Sequence, residues 1–154
     1  MRAVVQRVLS ASVDVDGVRV GAIGPGMLVL VGAAGEDTDA IAARMAAKVA
    51  EMRIFEDDAG RMNRSLADTA GEVLCISQFT LYGDVRRGNR PSFDRAAPRA
   101  VAEPLYDHFC AAIEAAGVRC ARGVFGAEMR VRLVNDGPVT IVIDSTELEQ
   151  PRRA

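Results

Sequence analysis

The chain has 154 residues, 49% of them apolar, and a formal charge of −2. That is enough apolar material for one well-buried domain spanning 1–154, and too little positive charge for a protein that grips nucleic acid over a broad basic face. No run of about 18 apolar residues and no charged-then-apolar leader is visible, so a cytoplasmic protein without a membrane span is expected.

Residues 1–31 read as consecutive strands: Ala3–Val8, then Ser12–Val15, an Asp16-Gly17 turn, Val18–Val20, a Gly24-Pro25-Gly26 break, and Met27–Val31. Asp37 or Thr38 can cap a helix in which Ile41, Met45, Val49 and Met52 recur on one face, ending before Arg53. A turn over 56–60 and a polar loop follow, and then Glu72–Gln78 reads as a buried strand. The segment from Gly83 to Pro98 is a long loop. Proline belongs in a first helical turn, so Pro104 places the start of a second helix near Ala102. This helix runs through Leu105, Phe109 and Ile113 to a Gly117 cap. Strands near 130–134 and 139–144 close the chain. The order predicts an α+β fold with a mainly antiparallel, barrel-like β core and two principal helices.

Asn135-Asp136-Gly137-Pro138 reads in two ways. Asp-Gly is hairpin chemistry, with Pro138 opening the next strand without owing a ladder donor. Alternatively, a cis Gly137-Pro138 bond puts main-chain carbonyls at a working site.

Standard catalytic constellations are missing. The one histidine, His108, lies in a helical stretch without a G-x-S-x-G elbow, and neither a phosphate loop nor an H-E-x-x-H zinc motif occurs. Cys75, Cys110 and Cys120 form an odd set with no short metal-type spacing, so they read as core thiols rather than as a disulfide, zinc ligands or a nucleophile. No cofactor and no metal is called for.

What remains is Ser77-Gln78-Phe79-Thr80, where a buried strand runs into hydrogen-bonding side chains and a ring. One reading has Ser77 and Thr80 capping the backbone while Phe79 packs in the core. The other has the main-chain amides around Phe79, aided by Ser77 or Gln78, holding an oxyanion. Thr80 as a nucleophile ranks below that, because no histidine, lysine or amine is seen to activate it. The basic residues are nearly all arginine, and several cluster between Arg86 and Arg95. They read as a solvated loop or, given the bidentate geometry of guanidinium, as phosphate contacts.

The blocks Met1–Val8, Ser77-Gln-Phe-Thr80, Arg90-Pro-Ser-Phe93, Phe125-Gly-Ala-Glu-Met129 and Asn135-Asp-Gly-Pro-Val-Thr140 resemble the D-aminoacyl-tRNA deacylase family over nearly the whole length. Cys75 and Met52 depart from the pattern at core-type positions. The resemblance implies a homodimer acting on the acceptor end of aminoacyl-tRNA, with active sites at the subunit interface. Gly137 and Pro138, joined by a cis peptide and inserted from one subunit into the other, would hold the amino group and occupy the space an L side chain needs. Val139 belongs to the same substrate-binding element, and Arg7 would brace it. Ser77, Gln78, Phe79 and Thr80 would line the ester end, and Ala102 and Met129 the adenosine end. Arg86, Arg87 and Arg90 would meet acceptor-stem phosphates. The 2′-hydroxyl of the terminal adenosine would supply much of the catalysis, and glycine mischarged on tRNA(Ala) would escape rejection and be removed too. Two other classes stay open: a non-catalytic nucleic-acid-binding module on the same scaffold, and a serine or threonine hydrolase of small esters.

Overall fold

A computed structural model describes residues 1–149. Its organising element is β1 (Arg2–Val15), a single 14-residue strand where the sequence predicts two. Leu9 and Ser10 break the apolar pattern without breaking the strand, because a C-terminal strand pairs with β1 through this stretch, Val8 opposite Asn135 and Ser10 opposite Val134. Arg2 to Val8 pair with β3 (Gly26–Gly32), and Ala11 to Val15 pair with β2 (Val18–Ile23), both antiparallel. The opposite edge of β1 pairs along nearly its whole length with β8 (Arg130–Asp144).

After β3, α1 (Asp39–Glu51) is capped by Thr38, whose hydroxyl accepts the Ile41 N–H. It buries Ala42, Met45, Ala46, Val49 and Ala50, while the predicted Ile41 and Met52 pack at its margins. The expected polar loop holds three short elements before the next strand. The pair β4 (Phe55–Glu56) and β5 (Met62–Arg64) is followed by α2 (Leu66–Thr69), which is closed by a Ser65–Asp68 capping box.

β6 (Glu72–Ser77) lies parallel to β3, and β7 (Cys120–Arg122) lies parallel to β6. A parallel neighbour needs a crossover, which α1 and α3 (Arg99–Ala115) supply. The sheet is therefore mixed, with antiparallel pairing confined to β1 and its three partners, and it curls into a nearly closed barrel. Val73 and Cys75 of β6 face the packed helices, whereas Leu74 and Ile76 face the barrel interior with Val8, Val13 and Leu28.

α3 begins at Arg99, three residues before the predicted start, so Pro104 sits in its second turn. The helix tolerates this because Pro104 and Ala100, whose carbonyl loses its bond, are both exposed to water. Its end follows expectation. Gly117 donates to the Glu114 carbonyl at 2.9 Å, and Val118 to Ile113 at 3.4 Å, a Schellman closure.

The two C-terminal strands predicted at 130–134 and 139–144 are one strand. Val8 is opposite Asn135 and Gln6 is opposite Thr140, so residues 136–139 bulge out against Arg7 alone. The hairpin reading of Asn-Asp-Gly fails because both flanks pair with β1, not with each other. All three cysteines are buried and free, as expected, and desolvation raises the Cys75 thiol well above its usual range. No described helix is long and apolar enough to cross a membrane.

Candidate active site

A cavity of about 290 Å³ opens where the ends of β3 and β6 meet α3 and the segment 123–129. β6 creates it by stopping. Its ladder ends with the Gln78 N–H donating to the Val31 carbonyl at 2.7 Å, and the chain then turns into a 3₁₀ helix over Phe79–Tyr82. The first bond of that turn runs from the Leu81 N–H to the Gln78 carbonyl. The N–H groups of Phe79 and Thr80 precede it and find no backbone acceptor among the described residues. Two donors are thus left at the end of a buried strand, where an oxygen carrying developing negative charge would be stabilised. Gln78 Nε2 donates to Thr80 Oγ1, which steadies the turn.

Ser77 and Gln78 are polar points on a largely apolar wall that includes Ala102, Tyr106, Phe125 and Met129. Ala102 and Tyr106 are one helical turn apart, and α3 therefore presents both to the cavity. The Tyr106 hydroxyl donates to the Cys75 carbonyl at 2.8 Å inside the protein, tying the helix to the strand that carries Ser77. Burial pushes the tyrosine's ionisation up and keeps it a donor. Phe125 leans on Tyr106 at 5.9 Å between ring centroids and is covered by the Arg99 guanidinium at 5.7 Å.

Of the residues the sequence singles out, Ser77, Gln78, Phe79, Ala102 and Met129 line this one cavity. Thr80 lies beside it with an exposed side chain and is not part of the lining. Phe79 is no core residue, being 56% exposed at the rim. His108 lies in a separate groove with Asp39 and Glu103, and Lys48 lies against β8, so neither shares the cavity with the Ser77–Thr80 block.

Arg7, Gly137, Pro138 and Val139 come together elsewhere. The Arg7 guanidinium is buried and donates to the Ile54 carbonyl at 2.7 Å. Its Nε is 3.1 Å from Asp136 Oδ2, yet makes no hydrogen bond, so charge rather than directional bonding holds that pair. Glu56 stands further off, at 3.8 Å. Asn135 closes the base of the bulge, its Nδ2 donating to the carbonyls of Arg7 at 2.9 Å and Val139 at 3.1 Å. Gly137 has φ of +118° and joins Pro138 through a cis peptide; both are exposed while Val139 is buried. Arg7 is paired with Met27, whereas Val31 and Gly32 at the cavity are paired with Ala3 and Arg2. Four to five residues of strand, roughly 15 Å, therefore separate the bulge from the cavity of the same chain.

The sequence assigns no site role to Tyr106, and it places Phe125 and Asn135 in family-like blocks without a role at the site. The i, i+4 spacing of Ala102 and Tyr106 was the available signal for the first. Asn135 carried a misleading one, since Asn-Asp-Gly is strong turn chemistry.

Beyond the rim, the loop from Gly83 carries the arginine cluster. Arg86 is tied to Asp84, whose carboxyl it holds down at about 2. Arg87, Arg90 and Arg95 have no acidic partner among the described residues, and Arg95 lies over the Tyr82 ring at 5.7 Å.

Residues 4–144 match the family described as D-Tyr-tRNA(Tyr) deacylase. A D-aminoacyl-tRNA deacylase of Roseiflexus castenholzii is 55% identical over 152 residues, covering 99% of this chain and 97% of the relative. One of Sorangium cellulosum is 60% identical over 146 residues, covering 94% and 97%. Among solved structures, a c-Myc DNA Unwinding Element Binding Protein superposes with a TM-score of 0.87 at 43% identity, covering 94% of this chain and 98% of that one.

Proposed function

The chain belongs to the D-Tyr-tRNA(Tyr) deacylase family, and from that membership we propose that it hydrolyses the ester joining D-amino acids to tRNA, releasing the amino acid and free tRNA. The observation that carries this reading is the pair of N–H groups of Phe79 and Thr80, without a backbone acceptor among the described residues, beside a largely apolar cavity. An aminoacyl ester is already activated. Positioning it against oxyanion donors, with the 2′-hydroxyl of the terminal adenosine directing a water, is sufficient chemistry without a nucleophilic side chain. Ser77 and Gln78 border the ester, and Thr80 contributes its amide rather than its hydroxyl. Ala102 and Met129 border the adenosine.

In this reading the active unit is a homodimer. Gly137 and Pro138 of one copy enter the cavity of the other, Val139 anchors them and Arg7 braces them. Three observations support it. The bulge and the cavity of one chain are about 15 Å apart along the sheet. The carbonyls of Gly137 and Pro138 belong to exposed residues. The outer edge of β8 pairs with no described strand and carries exposed Leu133, Val134 and Ile141, with Val142 70% exposed, which is the kind of edge a partner covers. Rigid backbone filling the place of an L side chain rejects one enantiomer and leaves the D side chain free. Glycine presents no side chain to reject, so glycine on tRNA(Ala) is a second substrate.

Single-turnover hydrolysis of D-tyrosyl-, L-tyrosyl- and glycyl-tRNA(Ala) tests the reading. Loss of the D and glycyl esters with the L ester intact is expected. Equal loss of D and L esters overturns the chiral mechanism. Retained nucleic-acid binding without cleavage of either ester turns the assignment toward a binding role, as the name of the c-Myc element-binding relative suggests for that protein. Ala102→Phe places a ring in the cavity from a buried helix position. D-tyrosyl-tRNA cleavage should fall by about 100-fold or more, with the far-UV circular dichroism spectrum unchanged.

A further inference from the structure

The cavity rim continues outward into features the proposed chemistry does not use. Phe79 is 56% exposed and Phe93 38% exposed, and their rings meet edge to face at 5.0 Å. Leaving two aromatic rings in water is costly unless something covers them. The arrangement is also held firmly. Asp84 and Ser92 exchange two backbone hydrogen bonds of 2.8 and 2.9 Å, and the Ala96 N–H donates to the Phe93 carbonyl at 2.9 Å. The Phe93 ring lies close over Gly83, where an added Cβ would stand 3.3 Å from its Cε1. The tip of the same loop carries Arg87 and Arg90, exposed and without acidic partners among the described residues, while the nearby Asp84 is engaged by Arg86.

Resting on the deacylase reading, we infer that Phe79 and Phe93 form a stacking platform for the base that precedes the terminal adenosine of the bound RNA, with Arg87 and Arg90 receiving the phosphates beyond it. A ligand entering the cavity by its terminal nucleoside must leave past Phe79. The surface it meets joins flat aromatic faces to guanidinium groups that have no acidic partner among the described residues, which matches a single strand of bases and phosphates. Edge-to-face packing leaves ring faces open for a base. Because every base has a stacking face, the subsite reads strandedness more than sequence.

The test compares D-tyrosyl-adenosine, which ends at the cavity, with D-tyrosyl-CCA trinucleotide and D-tyrosyl-tRNA under subsaturating single-turnover conditions. Phe93→Leu should slow the two longer substrates by about 10- to 100-fold, the range expected for one lost base stack, leave D-tyrosyl-adenosine unchanged, and be rescued by Phe93→Tyr. An equal loss on all three substrates, or no loss on any, overturns the platform. Binding of uncharged CCA trinucleotide, followed by titration, judges the subsite even if wild-type protein cleaves no ester. Phe93→Leu should weaken it at least 10-fold; equal affinity overturns the inference while leaving the deacylase reading to its own assay. The double variant Arg87→Gln/Arg90→Gln should reduce the salt slope of tRNA binding by about 1.4, from roughly 0.7 per single-strand phosphate. An unchanged slope removes the arginines from the subsite.

Discussion

Gly137→Ala is expected to lower D-tyrosyl-tRNA cleavage by about 100-fold or more while costing only about 1–3 kcal/mol of stability. The residue has φ of +118°, a conformation that side-chain-bearing residues rarely adopt. An added Cβ would lie 2.9 Å from Val139 Cγ2, 3.2 Å from the Val139 nitrogen and 3.0 Å from Arg7 Nη2. Arginine ends usually swing aside at small cost, but this one is buried and committed to the Ile54 carbonyl. The backbone of residues 136–139 must therefore move, and the carbonyls of Gly137 and Pro138 with it. The two paired flanks of β8 on either side of the bulge should hold, which is why the fold survives while the function does not. Single-turnover kinetics and a thermal melt on the same preparation separate the two effects. Wild-type activity in the alanine variant removes the bulge from the site.

Arg7→Lys is expected to be nearly as damaging, and here stability falls as well. The guanidinium donates to Ile54 through Nη1 while its Nε faces Asp136, and a single ammonium on a shorter side chain cannot stand in both places. One buried acceptor or one carboxylate loses its counterpart, at a cost of about 2–3 kcal/mol in urea unfolding. Catalysis should fall at least 10-fold even where the protein is fully folded, because the bulge loses its internal brace. A lysine variant with the parent's unfolding midpoint and rate contradicts the bracing role.

How far the sequence could be read depended on whether the deciding contacts were local. The Thr38 cap, the Gly117 closure and the buried run of β6 follow from neighbours a few residues apart, and all stand where they were expected. The continuity of β1 and β8 does not. Leu9-Ser10 and Asn135–Pro138 look like breaks, and only the partner strand, more than a hundred residues away, carries the ladder across them. Parallel pairing of β3, β6 and β7 was hidden for the same reason, although strand-helix-strand order already called for crossovers. The short β4, β5 and α2 lay below the length at which periodicity speaks. At the site, the family resemblance identified blocks, and five of the singled-out residues meet at one cavity. What the resemblance could not supply was the support around them: Tyr106 on the Cys75 carbonyl, and Asn135 across the base of the bulge.

A cavity from one copy and a Gly-Pro bulge from another complete a single site in the proposed dimer, and complementation between two inactive variants tests this most directly. Ala102→Phe disables only the cavity and Gly137→Ala only the bulge. A dual-tagged heterodimer of the two should regain about half the wild-type rate on D-tyrosyl-tRNA, since one of its two sites then draws both halves intact. A heterodimer as inactive as its parents, or full wild-type activity from a strict monomer, would contradict the shared site.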